Sequence, residues 1–389
     1  MSRTYLDYNA TAPLRPEARE ALLAALDIGN PSSVHFEGRQ ARALVETARQ
    51  DIAELVVALP ETVIFTSGGT EACNLALNLR QAPAANGGGK IGRILVSAIE
   101  HSAVLEATKS SGLPVEILPV TVHGVLDIAA LEASLQDETP ALVCVMLANN
   151  ETGVIQPIAQ VGALVKAHGS LLFCDGVQAA GKTPINMIAM GIDALSLSGH
   201  KLGAPMGVGA LVTRPGVVVP PQLIGGGQEL GRRAGSENIS GIAAFAAAAR
   251  AAKAGLEAFD GLAAQRDAME AALLAAQPEV KIFGHEAERL ANTSCFALAG
   301  LSSEALVMGL DLDGLSVSAG SACSSGKVSR SHVLEAMGVS PHISNAVVRV
   351  SLGWQSHTQD TDKLVTAWAK LAARLNPEKR DVNLTKAAE

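Results

Sequence analysis

VIFTSGGTEACNLALNL, residues 63–79, is the stretch that decides the fold. Its first four residues, Val63–Thr66, form the short run of β-branched and aromatic side chains expected of a buried strand. A glycine-rich turn follows, and residues 72–79 are predicted to be helical. Backbone N–H groups converge at such a turn, and the helix N-terminus favours an anion. The turn predicts a phosphate site at Gly69 and Thr70, although a simple tight turn would have the same sequence.

The same alternation of strand and helix continues along the chain. Short apolar runs, each bounded by polar residues or glycine, occur at 94–97, 142–148, 171–174, 194–198 and 209–212. Helical spacing separates several of them, which indicates a largely parallel sheet covered on both faces. After about residue 258 the order changes to a helix near 258–276, shorter strands and a late helix near 360–375. We predict a large α/β domain over 15–258 and a smaller α+β domain built from 1–14 and 259–389.

Composition limits the classes of function. The chain has 389 residues, of which 48% are hydrophobic, and a formal net charge of -8. This balance gives no electrostatic footprint for nucleic acid or an anionic membrane. We expect no signal peptide, and no apolar run reaches the roughly 18 residues that span a bilayer. The five cysteines are odd in number and contain no CxxC pair, which argues against disulfides and zinc and favours the cytoplasm.

Two polar groups follow predicted strands and suit an aldehyde cofactor. Lys201, in Ser198-Gly199-His200-Lys201, carries an amine that can form a Schiff base. Asp175 follows residues 171–174, and an ionised carboxylate there would keep the pyridine nitrogen of pyridoxal phosphate protonated. Each has a plainer interpretation, a surface lysine in one case and a helix-capping aspartate in the other.

A histidine follows the strand at 94–97. His101 lies in Glu100-His101-Ser102, where an imidazole can stack on a ring and move protons near neutral pH. Alone it would more often be a structural residue. The phosphate turn, His101, Asp175 and Lys201 all come directly after predicted strands, where a doubly wound sheet gathers its ligand groups. Together they predict a pyridoxal-phosphate site.

At this point the chain resembles the fold-type I pyridoxal-phosphate enzymes, and among them the cysteine desulfurases of the NifS/IscS type. The resemblance runs over nearly the whole chain in ordered motifs. These are Tyr5-Leu6-Asp7-Tyr8-Asn9-Ala10-Thr11, Asn30-Pro31-Ser32-Ser33-Val34-His35, Thr66-Ser67-Gly68-Gly69-Thr70-Glu71, Asn149-Asn150-Glu151-Thr152-Gly153, Asp175-Gly176-Val177-Gln178, Ser198-Gly199-His200-Lys201 and Arg349-Val350-Ser351-Leu352-Gly353.

The resemblance implies a role for each matching residue. Lys201 would hold the cofactor and move the Cα proton, and His101 would stack on the ring. The ring nitrogen and ring hydroxyl would be bound by Asp175 and Gln178, respectively. The phosphate would be bound by Gly69, Thr70, Ser198 and His200. Asn150 would contact cofactor and substrate, and the Arg349 guanidinium would clamp the substrate carboxylate.

The resemblance also implies a homodimer. Ser236 stands where threonine is common in the family, and it keeps the hydroxyl that would reach the phosphate of a partner subunit. A closed two-fold dimer is the commonest oligomer. Trp354 follows Gly353 where some members carry arginine, which puts a second basic group at the rim of the site in doubt.

One cysteine decides which reaction is expected. Cys323 lies in residues 318–326, a run of serine, alanine and glycine that has little to bury and should be mobile. The other four cysteines lie in apolar patterns and are predicted to be core residues. The resemblance implies that Cys323 accepts the sulfur of L-cysteine, leaving L-alanine and a persulfide. No intrinsic metal is expected, although Cys323 would contact a nascent iron–sulfur cluster during transfer to a scaffold protein.

Other functions remain open at this stage. An aminotransferase or a selenocysteine lyase would share Lys201 and Asp175, but an aminotransferase has no need for Cys323. A non-enzymatic sulfur-relay scaffold with a vestigial site would bind no cofactor. The destination of the sulfur is also open between housekeeping iron–sulfur clusters, nitrogenase, thionucleosides and thiamine.

Overall fold

The computed structural model describes residues 3–81, 90–320 and 330–375. The strands are β1 (Thr4–Tyr5), β2 (Val63–Thr66), β3 (Arg93–Ser97), β4 (Val115–Leu118), β5 (Ala141–Cys144), β6 (Leu171–Asp175), β7 (Ala194–Ser198), β8 (Gly209–Thr213), β9 (Lys281–Ile282), β10 (Thr293–Ala297), β11 (Leu315–Ser316), β12 (Ser318–Ala319) and β13 (Val347–Ser351).

The helices are α1 (Pro16–Ala24), α2 (Phe36–Val56), α3 (Gly69–Ala76), α4 (Ser102–Lys109), α5 (Ile128–Leu135), α6 (Ile158–Ala167), α7 (Gly199–Leu202), α8 (Ile239–Ala254), α9 (Leu256–Asp260), α10 (Leu262–Ala276), α11 (Ser303–Leu312), α12 (His332–Ala336), α13 (Pro341–Ser344) and α14 (Thr358–Leu375). Short 3-10 turns occur at Pro60–Thr62, Leu77–Gln81 and Gln228–Gly231.

A seven-stranded sheet forms the centre of the described chain, in the order β2-β8-β7-β6-β5-β3-β4. Only β8 runs against the others, pairing antiparallel with both β2 and β7. The predicted α/β fold of the fold-type I enzymes, with its mostly parallel sheet, is therefore confirmed. Because six strands share one direction, their carboxyl ends meet at one edge of the sheet.

The predicted run 142–148 contains less strand than expected. β5 ends at Cys144, but Val145 N and Leu147 N still donate to Phe173 O and Asp175 O, respectively. The chain therefore stays extended beside β6 while leaving the regular ladder. Strand β4 lies at the sheet edge with three of its four residues exposed. It was not predicted, because Glu116 interrupts its apolar residues.

Helices cover both faces of this sheet. One hydrophobic cluster contains residues of α1, α2, α6 and α8, and a second on the other face contains residues of α3 and α4. Helix α8 is rich in buried alanines. Small side chains let α1 and α2 pack closely against it, which compensates for the shortage of aromatic residues.

A second, antiparallel sheet has the order β12-β13-β10-β9. Its core contains residues of α10, α11 and α14, and the Trp368 ring meets Phe296 edge-on at 4.9 Å. The N-terminal strand β1 pairs with β11, so residues 4–11 run from this second core to the central sheet. The helix predicted near 258–276 is divided at Gly261 into α9 and α10.

Among the described residues no single helix is long and apolar enough to cross a bilayer. Only Ile239–Ala254 and Leu256–Ala276 reach that length and composition as a pair, and they are bent by 66°.

Candidate active site

The predicted site residues meet at the carboxyl edge of the central sheet. A cavity of about 270 Å³ there is lined by Gly69, Thr70, His101, Asn150, Asp175, Gln178, His200, Lys201 and Arg349, among others. Asp175 is the last residue of β6, Arg349 comes from β13 of the second sheet, and each of the others follows one of the parallel strands. The cavity thus lies between the two sheets. Cys323 lies outside the described residues.

At one end of the cavity, helix α3 begins at Gly69. A methyl group at position 69 would lie 3.0 Å from Val177 Cγ2 and 3.3 Å from Ser198 Cβ. Glycine therefore keeps this end open, while the first backbone N–H groups of α3 face a space that suits an anion. Ser198 does not line the cavity, but its side chain lies directly behind Gly69.

Ser236 lies apart from this group. It lines a separate cavity of about 70 Å³ together with Ser67 and Arg233, on the outer side of the turn after β2. The sequence predicts that Ser236 acts on the phosphate of a partner subunit, and this stays a prediction.

His200 contributes a neutral ring. Its Nδ1 lies 3.1 Å from Thr11 Oγ1. Burial is the main cause that lowers the pKa of His200 to about 4, and the neighbouring amines of Lys201 and Lys182 lower it further. At neutral pH the imidazole is therefore a hydrogen-bonding group and carries no charge.

The carboxylate of Asp175 is held by two donors. Ser196 Oγ donates to Asp175 Oδ1 at 2.9 Å, and the backbone N–H of Val177 donates to the same oxygen at 3.0 Å. Cys73, in the cavity wall, lies with its Sγ 3.5 Å from Ser196 Oγ. These contacts leave Oδ2 of Asp175 for another donor, which the protonated nitrogen of a pyridine ring would supply.

The amine of Lys201 is held by the N-terminal segment. Its Nζ donates to the backbone oxygens of Asn9 at 2.5 Å and Ala10 at 2.8 Å. The lysine is placed by the short helix α7, which ends at Gly203 with φ +91°. A methyl group at position 203 would lie 3.0 Å from Pro13 O.

Asn9 connects several site residues, although it is 1% exposed. Its backbone oxygen accepts from Gln178 Nε2 at 2.9 Å as well as from Lys201. Its side-chain oxygen accepts from Lys182 Nζ at 2.9 Å. The same Lys182 amine donates to Gln178 Oε1 at 2.7 Å.

Arg349 is buried and already has partners. Its guanidinium donates to Asp7 Oδ1 at 2.7 Å and to the backbone oxygen of Asn150 at 3.1 Å. Its Nε has no hydrogen-bond partner in the part of the chain that is described. A buried donor without a partner is costly, so this edge of the guanidinium suits an incoming anion.

His101 caps the helix that follows it. Its Nδ1 accepts the backbone N–H of Ala103 at 3.1 Å at the start of α4. The proton of the neutral ring is therefore assigned to Nε2. Glu151 lies near His101, and burial raises the pKa of Glu151 to about 7. The Glu151 carboxylate accepts from Ser331 Oγ at 2.5 Å.

Sequence reasoning did not assign roles to Asp7, Asn9, Glu151 or Lys182. The first three lie inside motifs that carry the family resemblance, which was the available signal. Lys182 had no signal, because a lysine shortly after Gln178 would ordinarily be expected at the surface.

Comparisons with known proteins agree with this geometry. The family model for class-V aminotransferases matches residues 4–364. Cysteine desulfurase 2 of Trichormus variabilis is 41% identical over 96% of this chain and 94% of its own length. The chain belongs to the class-V aminotransferase family. Within it the protein is a cysteine desulfurase of the NifS/IscS type.

Two further relatives support the NifS/IscS assignment. The cysteine desulfurase IscS of Dictyoglomus turgidum is 36% identical, with 98% of each chain covered. The crystal structure of a NifS-like protein from Rickettsia africae superposes with a TM-score of 0.86 at 31% identity, covering 95% of this chain and 99% of that one. The predicted family, fold and enzyme class are confirmed.

The cofactor of this class-V enzyme is pyridoxal phosphate, and the cavity fits it. The glycine at position 69 leaves room for a phosphate at the start of α3, and Oδ2 of Asp175 has no donor among the described residues. The Lys201 amine and the Gln178 amide line the space between them.

Proposed function

We propose that this chain transfers the sulfur of L-cysteine to Cys323 and passes it on to an iron–sulfur scaffold or another acceptor protein. The Cβ–S bond of cysteine breaks, the thiol sulfur of Cys323 bonds to the released sulfur, and the products are L-alanine and a persulfide. Atoms and electrons balance without an added oxidant, because the carbon is reduced as the sulfur pair is oxidised. The supporting observation is the convergence of Lys201, Asp175 and Arg349 on one cavity.

The phosphate of the cofactor would be bound at the Gly69 end of the cavity. The N–H groups at the start of α3 and the Thr70 hydroxyl would be the donors in the cavity, and neutral His200 would add a hydrogen bond without adding charge. The Ser198 hydroxyl, which lies behind Gly69, would support the phosphate from outside the lining. The dipole of α3 favours the anion at this end.

The ring would be held by Asp175, Gln178 and His101. Ionised Asp175 would accept a hydrogen bond from the protonated ring nitrogen, Gln178 Nε2 would donate to the ring hydroxyl, and His101 would lie against the ring face. When bound, pyridoxal phosphate supplies an electron-withdrawing ring that stabilises negative charge at the substrate Cα.

Substrate would be bound and deprotonated at the opposite side. The Arg349 guanidinium pairs with the cysteine carboxylate through its remaining N–H groups, and Asn150 packs beside it. The Lys201 amine removes the Cα proton and returns it during product formation. The contacts of this amine to two carbonyl oxygens hold it at the cavity wall.

Delivery of the thiol to this point is supported by the register of the second sheet. Ser318 of β12 pairs with Arg349 of β13. β12 ends at Ala319, four residues before Cys323, so the chain leaves this strand beside the proposed carboxylate clamp.

Two substitutions test the function. Cys323→Ser is expected to abolish cysteine-dependent sulfide release while the visible absorbance of the cofactor stays. Lys201→Ala is expected to lose the borohydride-reducible cofactor adduct. Mass spectrometry after turnover should find one extra sulfur atom on Cys323 in the unmodified protein. Sulfide release at the original rate by Cys323→Ser would refute the acceptor assignment.

We also propose a homodimer in which Ser236 completes the partner's phosphate site. Large apolar side chains are exposed in the same part of the surface, including Ile224 at 88% and Leu230 at 79%. The buried Arg49–Glu229 pair at 2.8 Å holds the chain at residues 228–231, just before Ser236. Burying this surface against a second copy would remove it from water.

Complementation tests the shared site. Lys201→Ala and Ser236→Glu would each be inactive alone, but a mixed dimer would contain one site with both residues intact. Co-expression should restore up to a quarter of the activity of the unmodified enzyme. Light scattering should give a dimer, and a monomer that retains the cofactor would contradict the proposal.

Three further assignments belong to the proposal. The domain division at residues 15–258 is supported by the separate hydrophobic clusters of the two sheets.

A cytoplasmic location is supported by four buried free thiols, at Cys73, Cys144, Cys174 and Cys295. Delivery to an iron–sulfur scaffold would be tested by a pull-down with protein that carries the persulfide.

A further inference from the structure

Lys182 is a buried lysine close to the cofactor cavity that the mechanism above does not use. It is 5% exposed and lies four residues after Gln178. Its Nζ is 2.7 Å from Gln178 Oε1 and 2.9 Å from Asn9 Oδ1. Among the described residues no carboxylate pairs with it, although a buried charged lysine almost always needs such a partner.

We propose that Lys182 is a positioning residue that fixes the Gln178 carboxamide with an N–H toward the ring hydroxyl of the cofactor. This inference rests on the proposed role of Gln178. A carboxamide can rotate by 180° and exchange a donor for an acceptor, so its orientation must be set by its neighbours. Gln178 has two such neighbours, and each selects the same orientation.

The first neighbour accepts and the second donates. The backbone oxygen of Asn9 is only an acceptor, so the group 2.9 Å from it must be Nε2 of Gln178. The Lys182 amine donates to the other end, Oε1. Nε2 then has one N–H left over, and Gln178 lines the cavity.

The orientation of Asn9 is fixed in turn. Its Nδ2 donates to the backbone oxygen of Asn150 at 3.2 Å and to Thr293 Oγ1 at 2.9 Å. Its Oδ1 accepts from Asn292 Nδ2 at 3.1 Å as well as from Lys182. A backbone oxygen, which can only accept, therefore fixes which end of the Asn9 carboxamide faces Lys182. Lys182 in turn donates to Gln178 Oε1.

Lys182 donates to this network from a site that disfavours a positive charge. Burial is the main cause that lowers its pKa well below the usual value, and the cations Lys201 and Arg349 lower it further. The Lys182 amine donates one N–H to Gln178 Oε1 and one to Asn9 Oδ1. Its effect on the site should therefore pass through Gln178 and not through a charge.

The test follows the visible absorbance of the bound cofactor as a function of pH. An N–H donated to the ring oxygen stabilises its anionic form. Without it the oxygen holds the proton shared with the Schiff base more tightly. Lys182→Met should therefore raise the midpoint pH of the absorbance change by about one unit, which is a tenfold change in the proton affinity of the bound cofactor. Lys166→Met, at an exposed position of α6, should leave the midpoint unchanged.

A double substitution separates positioning from a direct effect. Gln178→Ala should raise the midpoint by a similar amount, and adding Lys182→Met to it should change nothing further. A shift from Lys182→Met that persists in the Gln178→Ala background would overturn the proposal. So would a loss of thermal stability in Lys182→Met with no change of midpoint, which is the result of a purely structural role.

A second variant covers failure to fold. If Lys182→Met does not fold, we expect Lys182→Gln to fold, because its side chain is polar. The shorter glutamine side chain cannot reach Gln178 Oε1. The midpoint pH of the absorbance change should therefore rise by the same amount. An unchanged midpoint in Lys182→Gln would overturn the proposal. The proposed function would fail separately, through the absence of a reducible adduct at Lys201 in the unmodified protein.

Discussion

Asp7 Oδ1 and the Arg349 guanidinium form a 2.7 Å ion pair that joins the N-terminal segment to β13. The arginine side chain is 1% exposed and the aspartate 15%. The other oxygen of Asp7 accepts from Ser318 Oγ at 2.7 Å, so one carboxylate holds both the proposed substrate clamp and the strand before Cys323.

Asp7→Ala should therefore affect both stability and substrate binding. Removing one partner of a buried pair leaves an uncompensated charge and costs about 3–5 kcal/mol. We expect a lower Tm and a KM for cysteine at least tenfold higher, with the cofactor absorbance retained. Asp311→Ala breaks the exposed pair with Arg3 and is the matched control, with an expected loss of about 1 kcal/mol or less. Equal losses in the two variants would contradict the prediction.

Glu151 should make stability depend on pH. Its pKa is raised from 4.5 to about 7 in the folded protein, mainly by burial. Between these values the folded state binds more protons than the unfolded state, so this contribution to stability is complete below pH 4.5 and is lost as pH rises through 7. The shift corresponds to about 3 kcal/mol.

Glu151→Gln removes that titration. The Tm of the variant relative to the unmodified protein should rise by several degrees between pH 4.5 and pH 7 and then stay level. Glu20→Gln, at an exposed position of α1, should show no such trend. A difference in Tm that is constant over this range would show that Glu151 does not hold a proton near neutral pH.

His101 has two separable tasks, as a helix cap and as a group beside the ring. His101→Ala loses both, so we expect about 1 kcal/mol less stability and a large fall in turnover. Asparagine is a good N-cap but has no ring, so His101→Asn should recover the stability without the turnover. Thermal melts of the cofactor-free protein and sulfide assays measure the two effects. Full activity in His101→Asn would exclude a role for the ring.

Gly69 should determine cofactor affinity. In Gly69→Ala the new methyl group fills the start of α3 and lies 3.0 Å from Val177 Cγ2. We expect pyridoxal phosphate to dissociate at least tenfold more readily, measured by fluorescence after dialysis. Adding Val177→Ala to Gly69→Ala removes the crowding between the new methyl group and Val177 Cγ2, but leaves the methyl group at the start of α3. Full recovery in that double variant would mean that crowding, and not loss of the phosphate space, weakens binding.

Much of the fold follows from local patterns. Strands β2 and β7 were predicted with the bounds they have, because each is a short apolar run that ends at polar or glycine residues. The edge strand β4 was not, since Glu116 interrupts its few apolar residues and leaves no continuous apolar run. The break at Gly261 was missed because helical spacing continues across it.

The site divides in the same way. Lys201, Asp175, His101 and Gly69 were predicted because each follows a strand, and parallel strands bring their carboxyl ends together. Asn9 and Lys182 were not, since their importance depends on hydrogen bonds between segments 173 residues apart in sequence.

The sequence by itself determined the family, the order of strands and helices, and the groups that gather at the sheet edge, because strand direction and motif order are local properties of the chain. Only the tertiary structure decided which side chains meet across the two sheets. The Asp7–Arg349 pair and the Asn9–Gln178–Lys182 network exist because β1 pairs with β11, so that the chain after β1 brings Asn9 and Ala10 to the cavity wall. Burial then changes the chemistry of what it encloses, lowering the pKa of Lys182 and raising that of Glu151, and no pattern of residues along the chain encodes that desolvation.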